Sequence, residues 1–265
     1  MAKRVFRNQR GEVIPGATLR TDAWWLEPLS VILLLGGFGV YATWAGLQNA
    51  HYYVAPYLSP FYSPCLSKSC LHPTFGVGLP DISFPIIGVL SPAFLILWGP
   101  GLFRLSCYYY RKAYYRSFWL APAACAVRDA KSGYTGETRF PLVLQSFHRY
   151  FFWLGIPVIA FLWWDVVMAF NFGGRFGMGL GTVVLFVNSA LLSLYTFSCH
   201  SCRHLCGGGL NVLSKAPARH GLWTIVSRLN ERHMQIAWVS LIWVGLADVY
   251  IRLVSMGYIK DLRFF

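Results

Sequence analysis

The sequence predicts an all-α integral membrane protein of five transmembrane helices, with its N-terminus in the cytoplasm and its C-terminus outside. Three observations carry that expectation. Hydrophobic residues make up 56% of the 265-residue chain and charged residues only 12%, at a mean hydropathy of +0.47. Five apolar stretches reach membrane length, which takes about 20 residues because the hydrocarbon core is ~30 Å thick and a helix rises ~1.5 Å per residue. The basic residues gather on alternate connections.

The first stretch is Trp25–Leu47. About two dozen mostly polar residues precede it, and it is too long for a signal-peptide core, so it is read as part of the mature protein. An external loop, 48–84, rich in Pro, Tyr and Ser, leads to the second stretch, Pro85–Phe103. The following "RLSCYYYRKAYYRSFW" is read as continuing that helix into the interfacial layer. Its Tyr and Trp rings suit headgroup depth, its Arg and Lys can reach water, and an ordinary aromatic belt accounts for most of the rings. The third stretch, Phe151–Phe172, is joined to the fourth, Leu180–Phe197, by the short Gly-rich "NFGGRFGMG", which predicts antiparallel neighbours. The fifth is Met234–Val254. No run alternates as a barrel strand would, and no internal repeat is evident. Residues 1–265 read as one membrane domain with cytoplasmic segments 1–23, 104–148 and 198–232.

A net charge of +13 is compatible with nucleic-acid binding, but its placement argues for topology. Lys3, Arg4, Arg7, Arg10 and Arg20 precede the first stretch. Arg104, Arg111, Lys112, Arg116, Arg128, Lys131 and Arg139 follow the second, and Arg149 enters the third. Arg203, Lys215, Arg219, Arg228 and Arg232 follow the fourth. Only Lys68, Arg175, Arg252, Lys260 and Arg263 fall on the other side. The basic face is a platform for anionic lipid heads or an acidic soluble partner; no nucleic-acid partner is expected.

The segment "FSCHSCRHLCGGG", 197–209, packs three Cys and two His into eight residues at the end of an apolar stretch. Sorted by depth, Cys107, Cys125, Cys199, Cys202 and Cys206 lie at the inner edge, with His148, His200, His204, His220 and His233. Cys65, Cys70, His51 and His72 lie outside. The inner cysteines face a reducing compartment, whereas Cys65 and Cys70 face an oxidising one and are candidates for a short disulfide loop. A lone Cys or His is more often a packed or headgroup-level residue than a ligand. Here several coincide at one depth on four of the expected helices, and ionisable groups at membrane depth are functional candidates. On a continuous helix Cys199, Cys202 and Cys206 share one face, and His200 and His204 share another. The residues leave three readings open: an iron–sulfur cluster with two Cys and two His ligands, a haem b between His148 and His233, or no metal. A second, outer haem has no candidate ligands. The paired loops of a Rieske domain are missing, since "CRH" has no matching C-x-x-H. A structural zinc would sit more naturally in a soluble loop.

Four fragments carry a family resemblance: "CYYYRKAYYRSFWLAPAACAV", "GETRFPLVLQSFHRYFFWL", "SCHSCRHLCGG" and "LNERHMQIAWVSLIWVGLADVYIRL". They resemble the membrane-anchor subunit of actinobacterial succinate dehydrogenases, in the mycobacterial class with a single five-helix anchor, over about residues 20–255. The resemblance implies a complex with a flavoprotein and an iron–sulfur protein on the cytoplasmic face of the cell membrane, delivering electrons from succinate to a membrane quinone. It also implies a membrane-embedded Rieske-type [2Fe–2S] centre in place of two haems. It leaves open a higher oligomer and does not identify the ligands.

Position ranks the ligand candidates. His148 and His233 come first as the imidazole pair and Cys199 and Cys202 as the thiolate pair, with Cys107, Cys125 and His204 in reserve; Cys206 and His220 are set aside. Two thiolates and two neutral imidazoles leave an oxidised cluster net neutral, which limits the cost of burial. For a quinone, Tyr108 and Arg111 are the first donors, with Trp119 and Trp153 beside them. Asp165 and Asp248 lie about 25 and 22 Å along their helices from His148 and His233. They are read as structural acids, paired with Arg252, Arg175 or hydroxyls, ahead of a proton path. The alternatives are a haem b-bearing quinone oxidoreductase anchor, a transporter and a zinc-dependent enzyme. Broken helices in two matching halves would mark a transporter; Pro92 and Pro100 interrupt only the second stretch. A zinc enzyme would carry H-E-x-x-H, which does not occur.

Overall fold

The structure, a computed structural model, describes residues 8–10, 12, 14–76, 78–84, 88–130, 138–140 and 142–265. Lys3, Arg4, Arg7 and Lys131 of the basic segments lie outside the described residues. The helices are α1 Leu26–Gln48, α2 Phe94–Leu105, α3 Tyr108–Ala113, α4 His148–Met168, α5 Leu180–Phe197, α6 His200–Gly207, α7 Pro217–Glu231 and α8 His233–Ser255. Among the described residues three pairs of two-residue strands lie between them: β1 Tyr53–Val54 with β2 Tyr57–Leu58, β3 Ser83–Phe84 with β4 Gly88–Val89, and β5 Asn171–Phe172 with β6 Arg175–Phe176. The β5–β6 turn is Gly173–Gly174, with φ of 65° and 87°. Two consecutive left-handed residues make the tight hairpin turn that glycine alone adopts without strain.

Among the described residues four helical segments are long and apolar enough to cross a membrane: Leu26–Gln48, Val143–Met168, Leu180–Phe197 and His233–Ser255. They match four of the five expected stretches to within a few residues, the third starting earlier. The exception is Pro85–Phe103. Its helix, α2, has 12 residues, about 18 Å at 1.5 Å per residue and short of the hydrocarbon core. Just before it Ser83–Phe84 pairs antiparallel with Gly88–Val89, and Pro92 and Pro100 lack the backbone donors that a continuous helix would use. The interfacial continuation also breaks. The chain leaves helix at Ser106–Cys107, resumes as α3 and closes with a π-turn, Tyr114–Phe118.

The chain divides into two compact units, Met1–Val40 with Arg104–His148, and Tyr41–Phe103 with Arg149–Phe265. In the first, Ala123, Ala124 and Val127 form a small buried cluster under Trp24 and Leu120. A bridge between Thr18 and Val127 ties the N-terminal segment to that loop, and Arg20 donates to the Cys125 carbonyl at 2.9 Å.

In the second unit α5 packs on α8. The buried faces carry small residues: Gly181, Thr182 and Ser189 on α5, and Ala237, Ser240, Gly245 and Ala247 on α8. Lipid is as apolar as a helix surface, so close backbone approach over small residues is what holds spans together. Trp243 donates to the Val184 carbonyl at 3.2 Å, and Ser189 donates to the Leu162 carbonyl of α4 at 3.2 Å. Thus α4 and α5 are neighbours, as the short hairpin predicts. Outward faces remain apolar and exposed, as at Val183, Phe186, Val239 and Leu246, which suits contact with hydrocarbon.

The end of this unit that holds the acids is closed by polar contacts. Asp248 accepts from Arg252 at 2.7 Å and from the hydroxyls of Tyr41 and Ser59; Asp165 accepts from Ser63. Arg252 also donates to the carbonyls of Ala45 and Ala50, both at 2.8 Å, so one guanidinium covers the C-terminal end of α1. The structural reading of Asp248, an i,i+4 pair with Arg252, is what the geometry shows. Cys65 and Cys70 form a disulfide.

Candidate functional site

Two short breaks in helix place the candidate ligands, and they are built alike. Ser106–Cys107 ends α2 and Ser198–Cys199 ends α5. Each cysteine is the N-cap of the next helix in extended backbone, at φ −66° and ψ 135° for Cys107 and φ −67° and ψ 150° for Cys199. Each cysteine carbonyl accepts from the residue four on, Arg111 at 2.9 Å and Arg203 at 3.0 Å. Each preceding serine is buried and meets a histidine that opens a span: Ser106 Oγ lies 2.9 Å from His148 Nδ1 in the first unit, and Ser198 Oγ lies 2.6 Å from His233 Nδ1 in the second. Cys107 and Cys199 are 2% and 1% exposed, so both thiols sit inside the protein and not on its surface.

His233 is itself 1% exposed. Its ring stacks on Tyr195, centroids 5.1 Å apart, and Phe103 packs edge-on to that tyrosine at 5.4 Å. Asn230 donates to the Ser198 carbonyl at 2.8 Å, fixing the break itself. A hydroxyl on one ring nitrogen and an aromatic on the ring face set the orientation of an imidazole, as second-shell groups do for metal ligands.

Cys202 is buried on α6 near Cys206 and Cys199, and burial first, then those neighbouring thiols, push its own thiol up to about 12. Cys199 lies outside α6 as its cap, so the three cysteines are not three steps along one continuous helix face. His204 is exposed and lines a cavity with His200, Arg203 and Trp223. Burial lowers the pKa of His200, and the Arg203 charge lowers it further. Cys125 is exposed on the loop of the first unit. Among the described residues no three or more His, Cys, Asp or Glu side chains stand together as a metal-ligand group.

Of the quinone candidates, Arg111 lies over the Tyr108 ring, 4.4 Å from its centroid. The two are one turn apart on α3, so the helix itself makes the pair. Trp119 follows the π-turn, and Trp153 is 56% exposed on α4, edge-on to Phe152 at 5.8 Å.

The family model described as "Actinobacterial succinate dehydrogenase subunit SdhC" matches residues 26–257. The chain belongs to that family. It is a membrane-anchor subunit of succinate dehydrogenase, and so part of an oxidoreductase complex. A solved structure entitled "Mycobacterium smegmatis Sdh1 complex in the apo form" contains a similar chain, 49% identical, with 98% of each chain covered and a TM-score of 0.86. No curated protein matches.

Each unit by itself thus holds one buried thiol and one serine-held imidazole, donors of the kinds that iron–sulfur and haem centres use. Sequence position ranked His148, His233, Cys199 and Cys202 first with Cys107 in reserve, and it missed Ser106 and Ser198, which hydrogen-bond to His148 and His233. The readable signal was the repeat of apolar-Ser-Cys, "LSC" at 105–107 and "FSC" at 197–199, at two span ends.

Proposed function

We propose that this anchor carries succinate:quinone electron transfer, with Cys107, His148, Cys199 and His233 as the ligands of a Rieske-type [2Fe–2S] centre. The observation that supports it is the matched pair of breaks, each joining a buried Cys to a span-opening His through a serine. That geometry favours Cys107 over Cys202, reversing their order from sequence position. When bound, such a centre supplies one-electron transfer at a potential raised by imidazole ligation. The chain's own part is to bury the thiols, hold each imidazole through Nδ1 and wall His233 with Tyr195 and Phe103 against water.

In this reading a flavoprotein and an iron–sulfur protein dock on the basic face of the cell membrane, and α2 with its flanking residues supplies the fifth crossing. The N-terminus is cytoplasmic and the C-terminus outside. Tyr108 and Arg111 donate to the quinone oxygens through the phenol and the guanidinium; Trp119 and Trp153 line its approach.

Low-temperature EPR of the purified complex tests this. His148→Ala with His233→Ala, and separately Cys107→Ser or Cys199→Ser, should remove a Rieske-type signal and quinone reduction, while succinate oxidation by a soluble dye persists. Retention of the signal in all of these variants refutes the ligand set. A reduced b-type α-band in the wild-type optical spectrum, with no such EPR signal, would favour a haem anchor.

A further inference from the structure

The α6–α7 hairpin holds a cavity of about 280 Å³ lined by His200, Arg203, His204, Gly207, Gly208 and Trp223. Arg203 is fixed from two sides. Its Nε donates to Ser227 Oγ at 2.9 Å, and its guanidinium carbon lies 5.0 Å from the centroid of Trp223. Among the described residues no carboxylate pairs with it. His200 and His204, four apart on α6, present imidazoles to the same cavity. The glycines are there for closeness: a Cβ on Gly207 would lie 2.3 Å from the Trp223 ring, and one on Gly208 2.7 Å from the His204 ring. A planar guanidinium with no described carboxylate on it, beside two imidazoles and a fixed indole, is a phosphate-shaped donor set.

Its place in the chain says where the phosphate comes from. The span α5 ends at Phe197 and α6 begins at His200, so the cavity stands about one turn beyond hydrocarbon, at headgroup depth. On the same hairpin Leu205, Leu222 and Ile225 are 44%, 55% and 57% exposed. Leu222 and Ile225 are one turn apart on α7, between Arg219 and Arg228. An apolar stripe flanked by arginines is the pattern of a helix lying in the membrane surface.

We infer that the α6–α7 cavity binds the phosphate of an anionic phospholipid, with Arg203, His200 and His204 on the headgroup and Leu222 and Ile225 among the acyl chains. The inference is independent of any cluster and of the quinone. Inorganic phosphate shares the headgroup chemistry but has nothing for the leucine and isoleucine to hold.

The test uses the whole complex, purified in detergent and exchanged into phosphatidylglycerol, phosphatidylcholine or inorganic phosphate alone, with bound lipid counted by native mass spectrometry. The wild-type complex should keep one phosphatidylglycerol per anchor under conditions that strip phosphatidylcholine. Arg203→Gln with His204→Gln should weaken that retention about tenfold or more, the scale of a lost charge-assisted hydrogen bond. Leu222→Ser with Ile225→Ser should weaken it as well, and millimolar inorganic phosphate should not displace the lipid. Displacement by phosphate with no effect of Leu222→Ser and Ile225→Ser would overturn the lipid in favour of a soluble anion. An unchanged lipid count in Arg203→Gln with His204→Gln, with loss of the soluble subunits, would make the cavity a protein contact and overturn the inference. Equal retention of the two lipids by the wild-type complex would overturn it without any variant.

Discussion

The two ends of the α5–α8 pair solve opposite problems. At the acid-bearing end every prominent polar group is consumed by the fold. Asp248 takes Arg252, Tyr41 and Ser59, and Arg252 goes on to cover α1. Asp261 accepts from Tyr57 and Tyr250 at 2.6 Å each and from the Gly181 amide at 2.9 Å, which places a carboxylate at the start of α5. At the Cys/His end the contacts are of another kind. There the helix breaks at buried Cys199, whose sulfur accepts from the Ser201 amide, and the buried His233 imidazole meets the Ser198 hydroxyl and stacks on Tyr195. The first end is charged and closed, so its groups act on stability. The second carries thiol and imidazole side chains beside an open cavity, and the function proposed above assigns those groups to electron transfer.

That contrast can be broken by exchanging the expected phenotypes. The largest effect belongs to Asp248→Ala. It leaves the Arg252 guanidinium, 3% exposed, without its carboxylate in a low-dielectric setting, a loss of about 3–5 kcal/mol. Thermal denaturation of the purified complex should show a strongly lowered midpoint or failed assembly. Any complex that survives should reduce quinone and soluble dye in the wild-type ratio; a ratio shifted several-fold would put Asp248 in the reaction.

Next in size is Ser198→Ala, which takes the hydroxyl from buried His233 and costs about 1–3 kcal/mol locally. The complex should assemble, and quinone reduction should fall relative to dye reduction, with Ser106→Ala giving the same pattern through His148. Lower thermal stability with an unchanged ratio would make the serines part of the fold alone.

Tyr108→Phe and Arg111→Gln should each slow quinone reduction about tenfold, the scale of one lost hydrogen bond to a quinone oxygen, with succinate–dye activity intact. Steady-state kinetics over quinone concentration reads this directly, and unchanged kinetics in both variants moves the quinone site elsewhere. The smallest effect should come from Tyr57→Phe, which removes one of three donors to Asp261. The expected change is about 0.5–1.5 kcal/mol in stability and none in turnover; a change in turnover would join the two ends that the comparison separates.

Much was determined by the sequence alone. Spans Leu26–Gln48, Leu180–Phe197 and His233–Ser255 were legible because continuous apolar runs of that length have one stable solution in lipid, a helix with its own backbone satisfied. The Asp248–Arg252 pair was legible because i,i+4 neighbours meet on any helix. The family was legible because four long fragments carry it. What only the tertiary structure decided were interruptions and long-range partners. Hydropathy does not register that Ser83–Phe84 pairs with Gly88–Val89 or that α2 has only 12 residues. It does not register that Cys107 and Cys199 are caps outside their helices, since capping is a backbone conformation. Nor could spacing pair Ser106 with His148, 42 residues on, or Ser198 with His233, 35 residues on. Contacts at such separations are set by how spans pack side by side, which depends on the shape of whole faces and not on any short run of residues.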